Sequence, residues 1–382
     1  MQIALITETY PPEVNGVAST MSRLVAGLGN RGHNVTVVRP TQVGEPKSGP
    51  RIHNAAEGLE QWLVSGWPIP FYNSLRMGSP AGGLLRNRWK EDRPDVVHIA
   101  TEGPLGYSAL RTARSMSIPV SSSFHTNFHH YGSHYGMHFS RGLALRYLRW
   151  FHNQACCTLV PTTELQTQLA GLGFERLAML SRGVDARLFS PLRRSEELRK
   201  SWGVAPDDPV AIHVGRMAAE KNINLAVEAY LAMRLINPRT RFVLVGDGPL
   251  RAKLQERYPD FIYAGTRRGE ELAAYYASAD VFIFPSITET FGNVVTEALA
   301  SGLVVIGYDY AAMCQHVSEG FNGFVAKFDD KPAFLEMARK VIGRRADWAP
   351  LRTAARATGQ SISWEAVVAQ FEAKLTSATK AR

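Results

Sequence analysis

Cysteine is scarce in this chain of 382 residues, which has 3. Cys156, Cys157 and Cys314 are too few for a disulfide framework, and the adjacent pair lacks metal-ligand spacing. Charge is modest as well: 20% charged residues against 45% hydrophobic ones exclude a disordered or fibrous chain and fit a folded α/β protein. Long apolar runs are absent. Those at 280–285 and 299–308 are strand-sized, short of the roughly 20 residues a spanning helix needs. Residues 1–8 enter an apolar strand pattern directly, without a basic leader or a small-residue cleavage site. A cytoplasmic protein is therefore expected. The positive charge is in excess, +9 from 43 basic and 34 acidic residues, and favours an anionic partner: nucleic acid, a membrane face or a phosphorylated substrate. The basic residues are scattered and form no nucleic-acid motif, so nucleic acid is not expected.

Short β-rich runs alternate with amphipathic stretches. Strands are predicted at 3–7, 34–38, 96–100, 119–123 and 158–161. After a Pro- and charge-rich stretch at 190–209 they resume at 210–214, 241–245, 261–264, 281–284 and 304–307. These near-continuous apolar runs suit strands buried on both faces by crossover helices. One such helix, 17–28, carries Val17, Met21, Leu24, Val25 and Leu28 on one face, and Gly29 and Gly32 close it. Others are expected at 225–236, 250–257 and 294–300. Two series of strand and helix imply two doubly wound parallel-sheet domains, 1–190 and 191–360. Residues 361–382 form a terminal helix free to pack back on the first domain. The poorly patterned segment 42–93 reads as an elaborated loop. In such sheets ligands bind beyond the carboxyl ends of the strands, so chemistry is sought there.

Three segments qualify. Pro11-Pro12-Glu13-Val14-Asn15-Gly16-Val17 follows the first strand; Gly16 allows close backbone approach at a helix start, whose amides attract anions. An ordinary strand-to-helix turn reads the same way. Gly215-Arg216 and Glu220-Lys221-Asn222 follow the first strand of the second series, where a planar fork and a mobile point charge could converge on one diphosphate. Two surface cations are the bland alternative, weakened because cations at a helix start are unfavourable without an anion nearby. Glu289-Thr290-Phe291-Gly292-Asn293-Val294-Val295-Thr296-Glu297 sets two carboxylates eight positions apart across a strand-to-helix turn. Carboxylates suit sugar hydroxyls because their oxygens accept hydrogen bonds in a fixed plane. The alternative is that Glu289 caps the helix and Glu297 is merely exposed. Gly246-Asp247-Gly248 opens like a dinucleotide fingerprint but has Arg251 where its last glycine belongs.

Gly215-Arg216…Glu220-Lys221-Asn222, Val245-Gly246-Asp247-Gly248-Pro249 and Glu289…Glu297, in that order, resemble the signature series of the family-four retaining glycosyltransferases of GT-B fold. The loop at 11–16, Phe124-His125-Thr126 and Ser363-Trp364-Glu365 are similar to further elements of that family. Each motif is common singly, and the ordered set is specific. The resemblance implies two Rossmann-like domains with an interdomain cleft, the acceptor side being 1–190 and the donor side 191–360. Arg216 and Lys221 would neutralise a nucleotide-sugar diphosphate beside Gly215, and Glu297 would hold the ribose. Glu289 would contact the donor sugar, and the amides of Phe291, Gly292, Asn293 and Val294 the phosphates and sugar. Gly265 and Thr266 would lie by the base. Gly16 would approach the diphosphate from the first domain, and His125 the anomeric centre, with Asn15, Thr126 and Tyr131 on the acceptor side. The family uses no cofactor or bound metal. The second half carries no Asp-x-Asp pair, and no carboxylate is placed as a nucleophile, which favours same-face attack guided by the leaving phosphate.

Six of the eleven histidines fall between His125 and His152. His130, His134 and His138 have helical metal-ligand spacing, but Gly132 and Gly136 interrupt a helix there, so an acceptor-lining loop is expected instead. Residues 139–152 mix Leu143, Leu145, Leu148, Trp150 and Phe151 with Arg141, Arg146 and Arg149, as in a basic amphipathic helix on an anionic bilayer or a buried crossover helix with solvated arginines. With the net charge, peripheral association with the inner membrane face is the expectation. Segment 123–128 with Tyr131 and Tyr135 is most similar to the branch of GDP-mannose-dependent α-mannosyltransferases and of sulfoquinovosyl- and glucosyltransferases that build glycolipids. It implies a hexose donor, GDP-mannose ahead of UDP-glucose, and a lipid-linked or glycolipid acceptor. A nucleotide-sugar 2-epimerase and a non-catalytic two-lobed sugar- or lipid-binding protein remain the alternatives.

Overall fold

In a computed structural model the described residues are 1–13, 15–42, 45, 51–54, 59–69, 72–125, 138–289 and 291–380. They form two compact units, Met1–Arg182 with Trp364–Arg382, and Gly183–Ser363. The division falls after Arg182 rather than at 190, for a local reason. Val184 donates its amide to Ile362 O at 2.9 Å, and the Arg356 guanidinium donates to Ala186 O and Phe189 O. Residues 183–190 are thereby tied to the second unit.

In the first unit the strands are β1 (Gln2–Ile6), β2 (Asn34–Pro40), β3 (Arg51–Asn54), β4 (Leu59–Val64), β5 (Gly66–Ile69), β6 (Tyr72–Gly78), β7 (Val96–Ile99), β8 (Val120–Ser123), β9 (Cys157–Val160) and β10 (Leu177–Met179). The main sheet runs β10-β9-β8-β7-β1-β2-β4-β3, and β5 pairs with β6. All pairs in the main sheet are parallel except β3 with β4. The segment read as a loop, 42–93, thus holds strands and the helix Gly82–Glu91. Its strands mix polar with apolar residues, as in Glu60-Gln61-Trp62 and Asn73-Ser74-Leu75, which hid their period, yet Trp62, Leu63 and Val64 enter the core.

Asn15 starts the helix Gly16–Asn30 by accepting the amides of Val17 and Ala18. The buried stripe Met21, Leu24, Val25 and Leu28 packs with Val367, Val368, Phe371 and Leu375 of the terminal helix Trp364–Lys380. A Cβ on Gly27 would stand 2.4 Å from Val368 Cγ2, so glycine is what lets the two helices close. Leu85, Trp89, Leu105, Leu110 and Phe151 belong to a second core cluster, with Ile6 and Ile99 of the sheet.

The second unit holds β11 (Val210–Val214), β12 (Arg241–Val245), β13 (Ile262–Gly265), β14 (Val281–Phe284), β15 (Val304–Tyr308) and β16 (Gly323–Ala326), ordered β13-β12-β11-β14-β15-β16 and parallel throughout. The strand order reverses between β11 and β14. That is the doubly wound arrangement, and its crevice opens beyond the carboxyl ends of those two strands.

Candidate functional site

Gly215 follows β11, and the Ser286–Glu289 loop follows β14, so both border the crevice of the second unit. Lys221 closes a short 3-10 turn, and its Nζ lies 2.6 Å from Glu289 Oε1. The Ser286 hydroxyl donates to the same oxygen at 2.8 Å. The loops around this pair are tied to one another: Thr288 Oγ1 donates to Glu220 O at 2.7 Å, Asn222 Nδ2 to Pro285 O at 3.3 Å, and the Tyr310 hydroxyl to Glu289 O at 2.7 Å. Arg216 stands out from them, its side chain 63% exposed and its Nη1 3.2 Å from Glu220 Oε1. A cation of that exposure is screened by solvent, and its surface ion pair is weak enough to be given up for an incoming anion.

Gly292, with φ of +93°, caps the helix Asn293–Ala300, and no acidic residue lies in its first turn. A glycine cap offers no side chain to the first amides, which leaves the positive end of the helix to a ligand. Phe291 is fully buried and its carbonyl accepts the Ala312 amide at 2.8 Å, so its ring anchors the turn. Glu297 is neither exposed nor a cap. Burial pushes its carboxyl up to about 7, against the Tyr276 hydroxyl, which donates to Oε2 at 3.0 Å. Gly265 ends β13 with φ of +69°, and Thr266 beyond it is exposed. A Cβ at Gly246 would lie 2.0 Å from Gly215 O, and one at Gly248 2.5 Å from Met217 O. Those glycines let the loops after β11 and β12 touch backbone to backbone.

In the first unit Gly16 is exposed at the start of its helix. Asn15 is occupied locally: beyond its capping bonds, its Nδ2 donates to Thr9 Oγ1. His125 follows β8 with both ring nitrogens buried and without a partner among the described residues. Burial, reinforced by the Arg182 charge, holds it well below the usual histidine range, so it is a neutral imidazole at physiological pH. Thr126 and Tyr131, with His130 and His134, lie outside the described residues. No three His, Cys, Asp or Glu side chains gather as a metal group among the described residues. The helix His138–His152 buries Leu148 and Phe151 and exposes Leu143, Tyr147 and Trp150. No helix among the described residues is long and apolar enough to cross a membrane.

The second unit therefore brings Gly215, Arg216, Lys221, Glu289, Gly292, Asn293 and Val294 to one crevice rim, while Gly16, Asn15 and His125 stand on the first unit. Sequence reading passed over Tyr276, Ser286, Tyr310 and His213. His213 Nδ1 donates to Ile283 O at 3.0 Å beneath Gly215, and burial lowers its ring to about 4. A tyrosine inside an apolar helix and a histidine inside a strand look like core, and only their partners show otherwise.

Two Rossmann-like units, each with its candidate residues beyond the carboxyl ends of parallel strands, define a protein of GT-B fold. Sucrose-phosphate synthase from Thermosynechococcus elongatus shares that fold at a TM-score of 0.80 and 19% identity, over 100% of both chains. The chain belongs to glycosyltransferase family 4 and is a hexosyltransferase. A model described as Glycosyltransferase Family 4 matches residues 14–188, and one described as Glycosyl transferases group 1 matches 194–359. The chain is 36% identical to a GDP-mannose-dependent alpha-mannosyltransferase of Mycobacterium tuberculosis, over 81% of this chain and 79% of that one. It is 31% identical to a protein of the same name from Corynebacterium glutamicum, over 97% and 87%. With the alpha-monoglucosyldiacylglycerol synthase of Acholeplasma laidlawii it shares 29% identity, over 85% and 84%.

Proposed function

We propose that this enzyme moves a hexose, mannose in preference to glucose, from a nucleoside diphosphate to a hydroxyl of a lipid-linked or glycolipid acceptor, with GDP-mannose as the preferred donor. The observation that carries the reading is the Lys221–Glu289 pair at the crevice of the second unit, beside a glycine-capped helix start and the exposed Arg216. The names of the mannosyl- and glucosyltransferase relatives support the choice of donor and acceptor.

In this mechanism Lys221, Arg216 and the amides of Asn293 and Val294 take up the negative charge that grows on the β-phosphate as its bond to the sugar C1 breaks. Positive groups gathered where negative charge develops lower the barrier without a metal ion. Glu289 accepts from sugar hydroxyls, and the neutral His125 ring can donate to one. The acceptor oxygen bonds to C1 on the face the phosphate leaves, and its proton passes to the departing phosphate oxygen, so configuration is retained. Glu297 holds the ribose, and Gly265 with Thr266 border the base.

Calorimetric titration with GDP, UDP and ADP, without metal, tests the donor half; GDP should bind tightest, and binding of none, with or without Mg²⁺, overturns the reading. Incubation with diacylglycerol-type acceptors should yield an α-linked glycolipid. Reaction with a water-soluble acceptor alone rejects the lipid assignment. The exposed Leu143, Tyr147 and Trp150, flanked by the exposed Arg146 and Arg149, support docking on an anionic membrane face. Flotation with anionic liposomes should carry the protein upward, and equal recovery without them would sink that part.

A further inference from the structure

We propose that Tyr276 is a positioning residue for the nucleotide ribose: its buried hydroxyl holds the Glu297 carboxylate in the orientation that meets the ribose hydroxyls. The proposal rests on the reading of Glu297 as the ribose contact and adds a residue outside the family's motif series.

Tyr276 lies on the helix Gly269–Ser278 and is fully buried. Its ring is set edge-on against Phe189, centroids 5.7 Å apart, and against Phe282 at 5.9 Å. That packing leaves the hydroxyl one direction. It donates to Glu297 Oε2 at 3.0 Å and stands 3.4 Å from Val294 O, so it touches the neighbouring helix Asn293–Ala300 at two points. A phenylalanine would fill the same space among Phe189 and Phe282. Among the described residues the oxygen serves only the carboxylate and the carbonyl, and a buried hydroxyl without such partners is costly.

A ribose diol donates two hydrogen bonds to a carboxylate best when the carboxylate is ionised and its plane is fixed. Burial opposes ionisation of Glu297 and the phenol favours it. Among the described residues Tyr276 is the titratable group acting on this carboxylate. Without the phenol, Glu297 would be free to rotate and would hold its proton to higher pH. Because the ribose contact is the same before and during bond breaking, its loss should fall on KM rather than kcat.

The test is calorimetry of wild type, Tyr276→Phe and Glu297→Gln with GDP and with 2′,3′-dideoxy-GDP from pH 6 to 9, with melting of each free protein as the folding control. Wild type should prefer GDP, and Glu297→Gln should lose that preference at every pH. Tyr276→Phe should lose about tenfold in GDP affinity, as for one hydrogen bond to a charged group, with binding of the dideoxy analogue unchanged. Its acid-side loss of GDP affinity should also centre at higher pH than in wild type. Should Glu297→Gln lose the preference while Tyr276→Phe retains both the ratio and the pH midpoint, the positioning role is overturned. Retention of the preference by Glu297→Gln would instead remove the ribose reading itself.

Discussion

The two sheets reverse strand order in the same way, between β1 and β7 in the first unit and between β11 and β14 in the second, yet their crevices are furnished oppositely. Beyond β11 comes Gly215, and the rim carries Lys221, Arg216 and Glu289 within reach of solvent. Beyond β1 comes Glu8, which is 8% exposed. Its Oε1 accepts the Leu105 amide at 3.2 Å, at the start of the helix Pro104–Ser115 that follows β7, and its own amide donates to Thr101 Oγ1 at 2.8 Å. A Cβ on Gly103 would come within 2.1 Å of Glu8 Oε1. A crevice that topology opens is thus left free in one unit and filled by a carboxylate in the other. Two histidines of the first unit are turned inward as well: His98 lies between Ser121 and Ser123, and His152 between Ser122 and Glu102.

The largest effect that sharpens this contrast is at the open crevice. Lys221→Ala and Arg216→Ala should each lower kcat/KM by about 10²–10³-fold, or roughly 3–4 kcal/mol, as for loss of one oxyanion donor. Near-wild-type turnover in either variant would mean that the open crevice of the second unit does not hold the diphosphate. Next comes the pH response of the filled one. Burial raises the Glu8 carboxyl from 4.5 to about 7, so the folded protein keeps a proton that the unfolded chain releases near 4.5. Stability should therefore be highest below that value and fall as pH rises toward 7, by about 3 kcal/mol from this group. Denaturant unfolding of Glu8→Gln between pH 5 and 8 should lack that decline; an unchanged slope would show the carboxyl to be solvated. Gly103→Ala should destabilise by about 1–3 kcal/mol through overpacking, and Glu8→Ala in the same chain should restore the melting temperature. Failure of that rescue breaks the claim that Glu8 fills the space. The smallest effect is expected away from both crevices. The Arg234–Asp260 pair is exposed on both sides, and Arg234→Ala should move stability by less than about 1 kcal/mol.

How much was legible follows the same line. The rim of the second unit was readable because Arg216, Lys221 and Glu289 follow strands with clear apolar runs and fall in the order of a known family's motif series. The strands β3 to β6 were not readable, since Gly66 and Pro68 interrupt β5 and the polar residues of β4 and β6, such as Glu60, Gln61, Asn73 and Ser74, break their period. The edge strand β10, Leu177–Met179, escaped because it is too short to display a pattern, and β16, Gly323–Ala326, was not read either. Asn15 was placed on the acceptor side by resemblance, and the structure shows its side chain engaged in capping a helix.

What the chain's own residues determined, before any folding was known, were two alternating series and the chemical types at their strand ends. Local apolar runs, glycines and capping side chains act over a few positions, so they can be read in order. Tertiary structure alone decided which crevice is open and which is filled, because Glu8 and Gly103 meet across the β1–β7 junction. It also brought Tyr276 to Glu297 and Lys221 to Glu289. Those pairings join residues far apart in sequence, and their distance in space depends on the parallel crossovers that stack one strand-to-helix turn beside the next.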